Sequence, residues 1–166
     1  MSRLLRVNTA FEECKRHIEE NNLSGTPIEF YLTQYLLVLL AADVQDEITK
    51  ISIGAIKHST ECGYLEKYVT ESIGRIFRSV AKTELSGLLA YFSEEVKKDF
   101  NNRLDERDIS FYSNAISARH EVAHKSGTSI SFGDLENGIN GAVKIIDAYD
   151  IYLQNLERKE VVHQIV

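Results

Sequence analysis

The sequence of 166 residues predicts an all-α fold on three observations. Proline occurs once, at Pro27, no stretch alternates polar and apolar residues long enough to make a strand, and apolar residues recur every three or four positions through successive segments. A chain of this size sustains one hydrophobic core without disulfides or metal, so a single domain over residues 1–166 is expected.

The first helix is expected over 2–22, where Leu4, Leu5, Ala10, Phe11, Cys14 and Ile18 share one face before the polar run Asn21-Asn22-Leu23-Ser24-Gly25. Thr26, then Pro27 and Glu29, give an N-cap with proline in the first turn. They open a long second helix through Leu36, Leu40, Val44, Ile48 and Ile51 that bends or ends between Gly54 and Gly63. A third helix is expected over 64–80 and a fourth over 84–104, the latter on Leu85, Leu88, Leu89, Phe92, Val96 and Phe100. Asp105 or Asp108 starts the fifth, which stops near Ser126-Gly127. The last runs from Asp134 into the 150s on Leu135, Ala142, Ile145, Ile146, Tyr149, Leu153 and Leu156.

A net charge of −6 and a pI near 5.4 argue against nonspecific coating of nucleic acid, but the balance is uneven along the chain. Between Lys67 and Lys125 there are ten Lys or Arg against nine Asp or Glu, so an anion-binding surface should draw on the third to fifth helices. Cys14 and Cys62 have no CxxC spacing and no cluster of His or Cys beside them, which points to free thiols of a reducing compartment and to no metal or cofactor. The N-terminal residues turn charged too soon for a signal peptide, and the most apolar run, 30–44, is shorter than the roughly 20 residues of a membrane span. A cytoplasmic protein with no membrane partner is expected.

Two residues violate the patterning around them. On a wheel of about 100° per residue, Tyr112, Ala115 and Ile116 fall within roughly 60° of Arg119, which puts a guanidinium inside an apolar stripe. Glu47 likewise falls among the inward residues of the second helix. A charge on an inward face needs a partner, and pairing Glu47 with Arg119 satisfies both, either as a structural ion pair that fixes how two helices dock or as part of a site. His124 stands at the end of the same helix as Arg119, where a histidine commonly serves as a dipole partner, and His120 lies at the border of its polar face.

An Arg and a His without a nucleophile in a recognisable frame suit phosphodiester cleavage in RNA, where the attacking 2′-hydroxyl belongs to the substrate. Histidine matches proton transfer at neutral pH, and the planar guanidinium binds phosphate in a bidentate fashion. The segment Arg119-His120-Glu121-Val122-Ala123-His124 resembles the R-x4-6-H motif of the HEPN superfamily, especially its prokaryotic ribonuclease and toxin-like groups. The resemblance implies an up-and-down bundle of four to five main helices with a long C-terminal helix. It implies a metal-independent endoribonuclease in a toxin, antiphage or RNA-processing role. It also implies a homodimer with both motif copies in one composite cleft, and an antitoxin or regulatory partner protein. Arg119 matches the family Arg, His124 the family His and His120 the polar residue that often follows the Arg. Lys125-Ser126 here separates His124 from Gly127, where many members place glycine directly after the histidine.

A second match, Arg158 to His163, puts its Arg opposite the apolar stripe of the last helix and reads as a solvated residue. Tyr64, Tyr68, Tyr91 and Tyr112 are expected as half-buried packing residues rather than base-stacking platforms. Two other functions fit the same residues: a noncatalytic HEPN-like module that binds RNA or a partner protein, and a helical dimerisation domain.

Overall fold

A computed structural model describes residues 3–76, 79–91, 93–124 and 130–163, with side chains throughout except at 58–59, 74–76, 120, 122–124 and 155–163. The all-α expectation holds: the described residues form seven helices and no strand. In order these are α1 (Leu5–Glu20), α2 (Pro27–Ser59), α3 (Gly63–Ile76), α4 (Lys82–Ala90), α5 (Glu94–Arg103), α6 (Glu106–His124) and α7 (Phe132–His163).

The boundaries follow from local hydrogen bonding. α1 ends in a Schellman turn: Asn22 adopts φ 50°, its N–H reaches Glu19 O at 3.3 Å, and the Leu23 N–H reaches Ile18 O at 2.9 Å. α2 begins at Pro27 as expected, but the Thr26 hydroxyl turns back to donate to Leu23 O at 2.6 Å. Thr26 serves as cap only through its carbonyl, which accepts the Phe30 N–H, while Glu29 takes the N–H of Gly25.

The expected fourth helix is two helices, because Ser93 interrupts it. The Ser93 hydroxyl accepts the Glu95 N–H at 3.1 Å, and Glu94 and Glu95 then occupy the first turn of α5. Asp105 caps α6 in the same way through Arg107 N–H at 2.8 Å. α7 starts two residues earlier than expected because Ser131 and Asp134 form a reciprocal cap: the Asp134 N–H donates to Ser131 Oγ at 3.1 Å, and the Ser131 hydroxyl donates to Asp134 Oδ2 at 2.6 Å.

The chain divides into two compact units, 1–44 with 104–145 and 45–103 with 146–166. The first holds α1, the first half of α2, α6 and the first half of α7. Its interior is built on Val7, Phe11, Leu36, Leu40, Val44, Tyr112, Leu135 and Ile145, all at most 3% exposed. Phe11 stacks on Phe132 with ring centroids 4.7 Å apart. α6 and α7 come close together at two glycines. A Cβ on Gly138 would lie 2.7 Å from Ala115 Cβ, and one on Gly141 would lie 2.7 Å from the Asp108 carbonyl oxygen, so only glycine admits this approach.

The second unit packs Ile48, Leu85, Leu89, Phe100, Ile146 and Tyr149 inside. Phe100 meets Tyr149 and Tyr152 edge to face, and the buried Tyr149 hydroxyl is satisfied by Ser52 Oγ at 3.2 Å. Asn101 Oδ1 accepts from both Lys82 and Ser86, which ties α5 to α4.

Candidate functional site

α6 carries the expected motif, and its inner face is as the spacing predicts: Tyr112, Ala115 and Ile116 are buried. Arg119 continues that face one turn later and is half-buried. Within its unit, no described side chain forms a hydrogen bond or ion pair with this guanidinium. His124 is the last described residue of α6. Its side chain, that of His120 and the Lys125-Ser126-Gly127 break lie outside the described residues, as do the side chains of Arg158 and His163.

Glu47 sits in the second unit, with its side chain 21% exposed and its carboxylate 2.8 Å from Lys50 Nζ, one turn along the same helix. Glu47, which the spacing paired with Arg119, thus belongs to a different unit from that residue. A second inward acid on α2, not singled out above, is Asp43. It lies about 60° from Leu40 on the same wheel, is 5% exposed, and is held by Arg6 Nε at 2.7 Å and the Val7 N–H at 3.0 Å. The rule that singled out Glu47, an acid on an apolar face, finds Asp43 as well.

A cavity of about 380 Å³ opens on the opposite side of α6, lined by Phe111, Asn114, Ser117, Ala118, Glu121, Ile130 and Asp134. Among the described residues, its charged lining groups are the carboxylates Glu121 and Asp134. Among the described residues, no group of three His, Cys, Asp or Glu side chains is arranged to hold a metal ion, and Cys14 and Cys62 are free thiols. Burial, with the neighbouring Glu13, pushes the Cys14 thiol above its ordinary pKa. The tyrosine expectation holds for Tyr112, which is fully buried, but Tyr64, Tyr68 and Tyr91 stand well exposed because α3 and the end of α4 bury other faces.

The seven helices among the described residues define an all-α protein. The chain belongs to the RiboL-PSP-HEPN family, which matches residues 2–155 and so covers nearly all of it. Neither the curated proteins nor the solved structures yield a match. Family membership indicates a nuclease or RNA-related function.

Proposed function

We propose that this protein is a metal-independent endoribonuclease and that Arg119 and His124 carry its chemistry. The observation that supports this reading best is Arg119 itself: a half-buried guanidinium on the interior face of α6, inside the family span, five residues before a histidine at the helix end.

In this mechanism the RNA 2′-hydroxyl gives up its proton and its oxygen bonds to the adjacent phosphorus. The bond from phosphorus to the 5′-oxygen breaks, and that oxygen takes a proton. The products are a 2′,3′-cyclic phosphate and a 5′-hydroxyl. His124 transfers the proton, since histidine ordinarily titrates near neutrality. Arg119 neutralises the charge that grows on the phosphoryl oxygens and remains cationic throughout. His120 positions the pair. Two copies of the chain supply a composite cleft, which doubles this sparse equipment through a twofold interface. Such an enzyme fits a toxin, an antiphage effector or an RNA-processing factor restrained by a partner protein.

The test is incubation of the purified protein with total RNA in EDTA, followed by mapping of the ends. Cyclic phosphate ends that disappear in both Arg119→Ala and His124→Ala support the enzyme. Loss of cleavage on chelation overturns the metal-independent mechanism, and RNA retention without cleavage identifies a noncatalytic binding module instead.

A further inference from the structure

The outer face of α2 is apolar and the core of its unit leaves it uncovered. Ile28, Tyr31, Tyr35 and Val38 are 46%, 64%, 55% and 49% exposed, and Ala42 continues the line. Their spacing of three, four, three and four residues is that of the a and d positions of a heptad, which keep one seam turned toward a facing helix. No Lys or Arg occurs from Pro27 to Thr49. We propose that this stripe joins two copies of the chain, their α2 helices packed antiparallel about a twofold axis near Tyr35.

Three observations select a second copy as the occupant. First, α2 is apolar and long enough in composition to cross a bilayer, but its other face is committed to the protein interior through Leu36, Leu37, Leu40 and Val44 and carries the buried Asp43. A helix with that face in a core cannot present lipid all round. Second, the absence of cations removes any grip on phosphate, whether from nucleic acid or an anionic membrane surface.

Third, the stripe is complementary to itself. An antiparallel crossing at Tyr35 sets the two copies of that tyrosine side by side and brings Ile28 toward Ala42 of the second copy and Tyr31 toward Val38 of the second copy, so away from the axis large side chains meet smaller ones and no like charges oppose. Two tyrosines with an isoleucine and a valine at these exposures offer roughly 400 Å² per chain. The flanking Leu32 and Leu39, each half-buried, extend this toward the roughly 800 Å² per partner of a stable interface.

The inference deepens the homodimer part of the proposed function and does not depend on the RNA chemistry. Its test is sedimentation of the full chain at micromolar concentrations, beside Tyr35→Glu/Val38→Glu. Both side chains are exposed, so helicity and melting temperature should be retained. A wild-type dimer that weakens at least about tenfold in the variant supports the seam. A dimer unchanged in the variant overturns the seam and leaves the homodimer standing. A monomeric wild type overturns both, while the cleavage assay in EDTA judges the chemistry separately. Should the charged variant misfold, Tyr35→Cys in a Cys62→Ser background gives the second measurement. An interchain disulfide on mild oxidation is expected, and its absence overturns the seam.

Discussion

Asp43 Oδ2 accepts the backbone N–H of Val7 at 3.0 Å, so an acid in the middle of α2 caps the first turn of α1. Leu4, the residue at the cap position, has φ 55° and no side-chain oxygen to offer, and Asp43 supplies both an acceptor and a negative charge at the positive end of the helix. Its other oxygen meets Arg6 Nε at 2.7 Å, so a nearly fully buried carboxylate is satisfied on both sides.

Removing Asp43 should therefore cost more than removing its ion-pair partner. Asp43→Ala leaves a buried N–H unpaired, and a loss of about 2 kcal/mol is expected by urea unfolding. Arg6→Ala should cost under about 1 kcal/mol, because its side chain is 54% exposed and water replaces the contact. Equal losses in the two variants would show that the ion pair, and not the cap, is the stabilising contact.

Glycines of α7 and α4 predict opposite signs for one chemical change. Gly141→Ala gains about 1 kcal/mol of helix propensity but drives a methyl against the Asp108 carbonyl oxygen, an overpacking cost of about 1–3 kcal/mol. Net destabilisation is expected, because backbone cannot step aside. Gly87→Ala, in the interior of α4 with open space around its Cβ position, should stabilise by up to about 1 kcal/mol. Thermal melting of the two variants checks both signs.

Arg119→Ala should lower the rate of RNA cleavage about 10²- to 10³-fold, the usual loss on deleting one charge-stabilising group, and leave the melting temperature almost unmoved. Arg119→Lys should recover only part of the rate, since an ammonium lacks the bidentate fork. Parallel loss of activity and stability in Arg119→Ala would assign the residue to structure.

Alkaline unfolding is expected from two tyrosines. Burial raises the phenol pKa of Tyr112, and burial, only partly offset by the hydrogen bond to Ser52, raises that of Tyr149. Above the ordinary tyrosine value of about 10, these phenols ionise in the unfolded chain and stay protonated in the folded one. The unfolded state then binds fewer protons, so stability falls as pH rises through that window. Denaturant titrations at pH 9 and about 11 should show the decline, and Tyr149→Phe should lessen it.

The helical class and the inner face of α6 were legible because 3.6-residue spacing is a local property: Tyr112, Ala115 and Ile116 are interior as their positions require. The break between α4 and α5 was hidden because Leu88, Phe92, Val96 and Phe100 keep helical spacing across it, although Ser93 followed by two glutamates is a capping signal. The role of Asp43 escaped notice for a different reason. Its partners Arg6 and Val7 lie more than thirty residues away, and no spacing rule reports on so distant a contact. The exposure of Tyr64 and Tyr68 was invisible too, since a wheel ranks the faces of a helix but does not say whether a neighbour arrives to cover them.

The bare approach of α7 to α6 at Gly138 and Gly141 also bears on how firmly the arginine is aimed. Side chains between two helices act as cushions that let one roll over the other by swapping rotamers. Here one rod touches the main chain of the other, and a twist of α6 about its own axis meets hard atoms at once. Asp108 and Arg119 lie three helical turns apart, about 16 Å along a single rigid shaft, so the bearing that stops rotation at one end sets the heading of the guanidinium at the other.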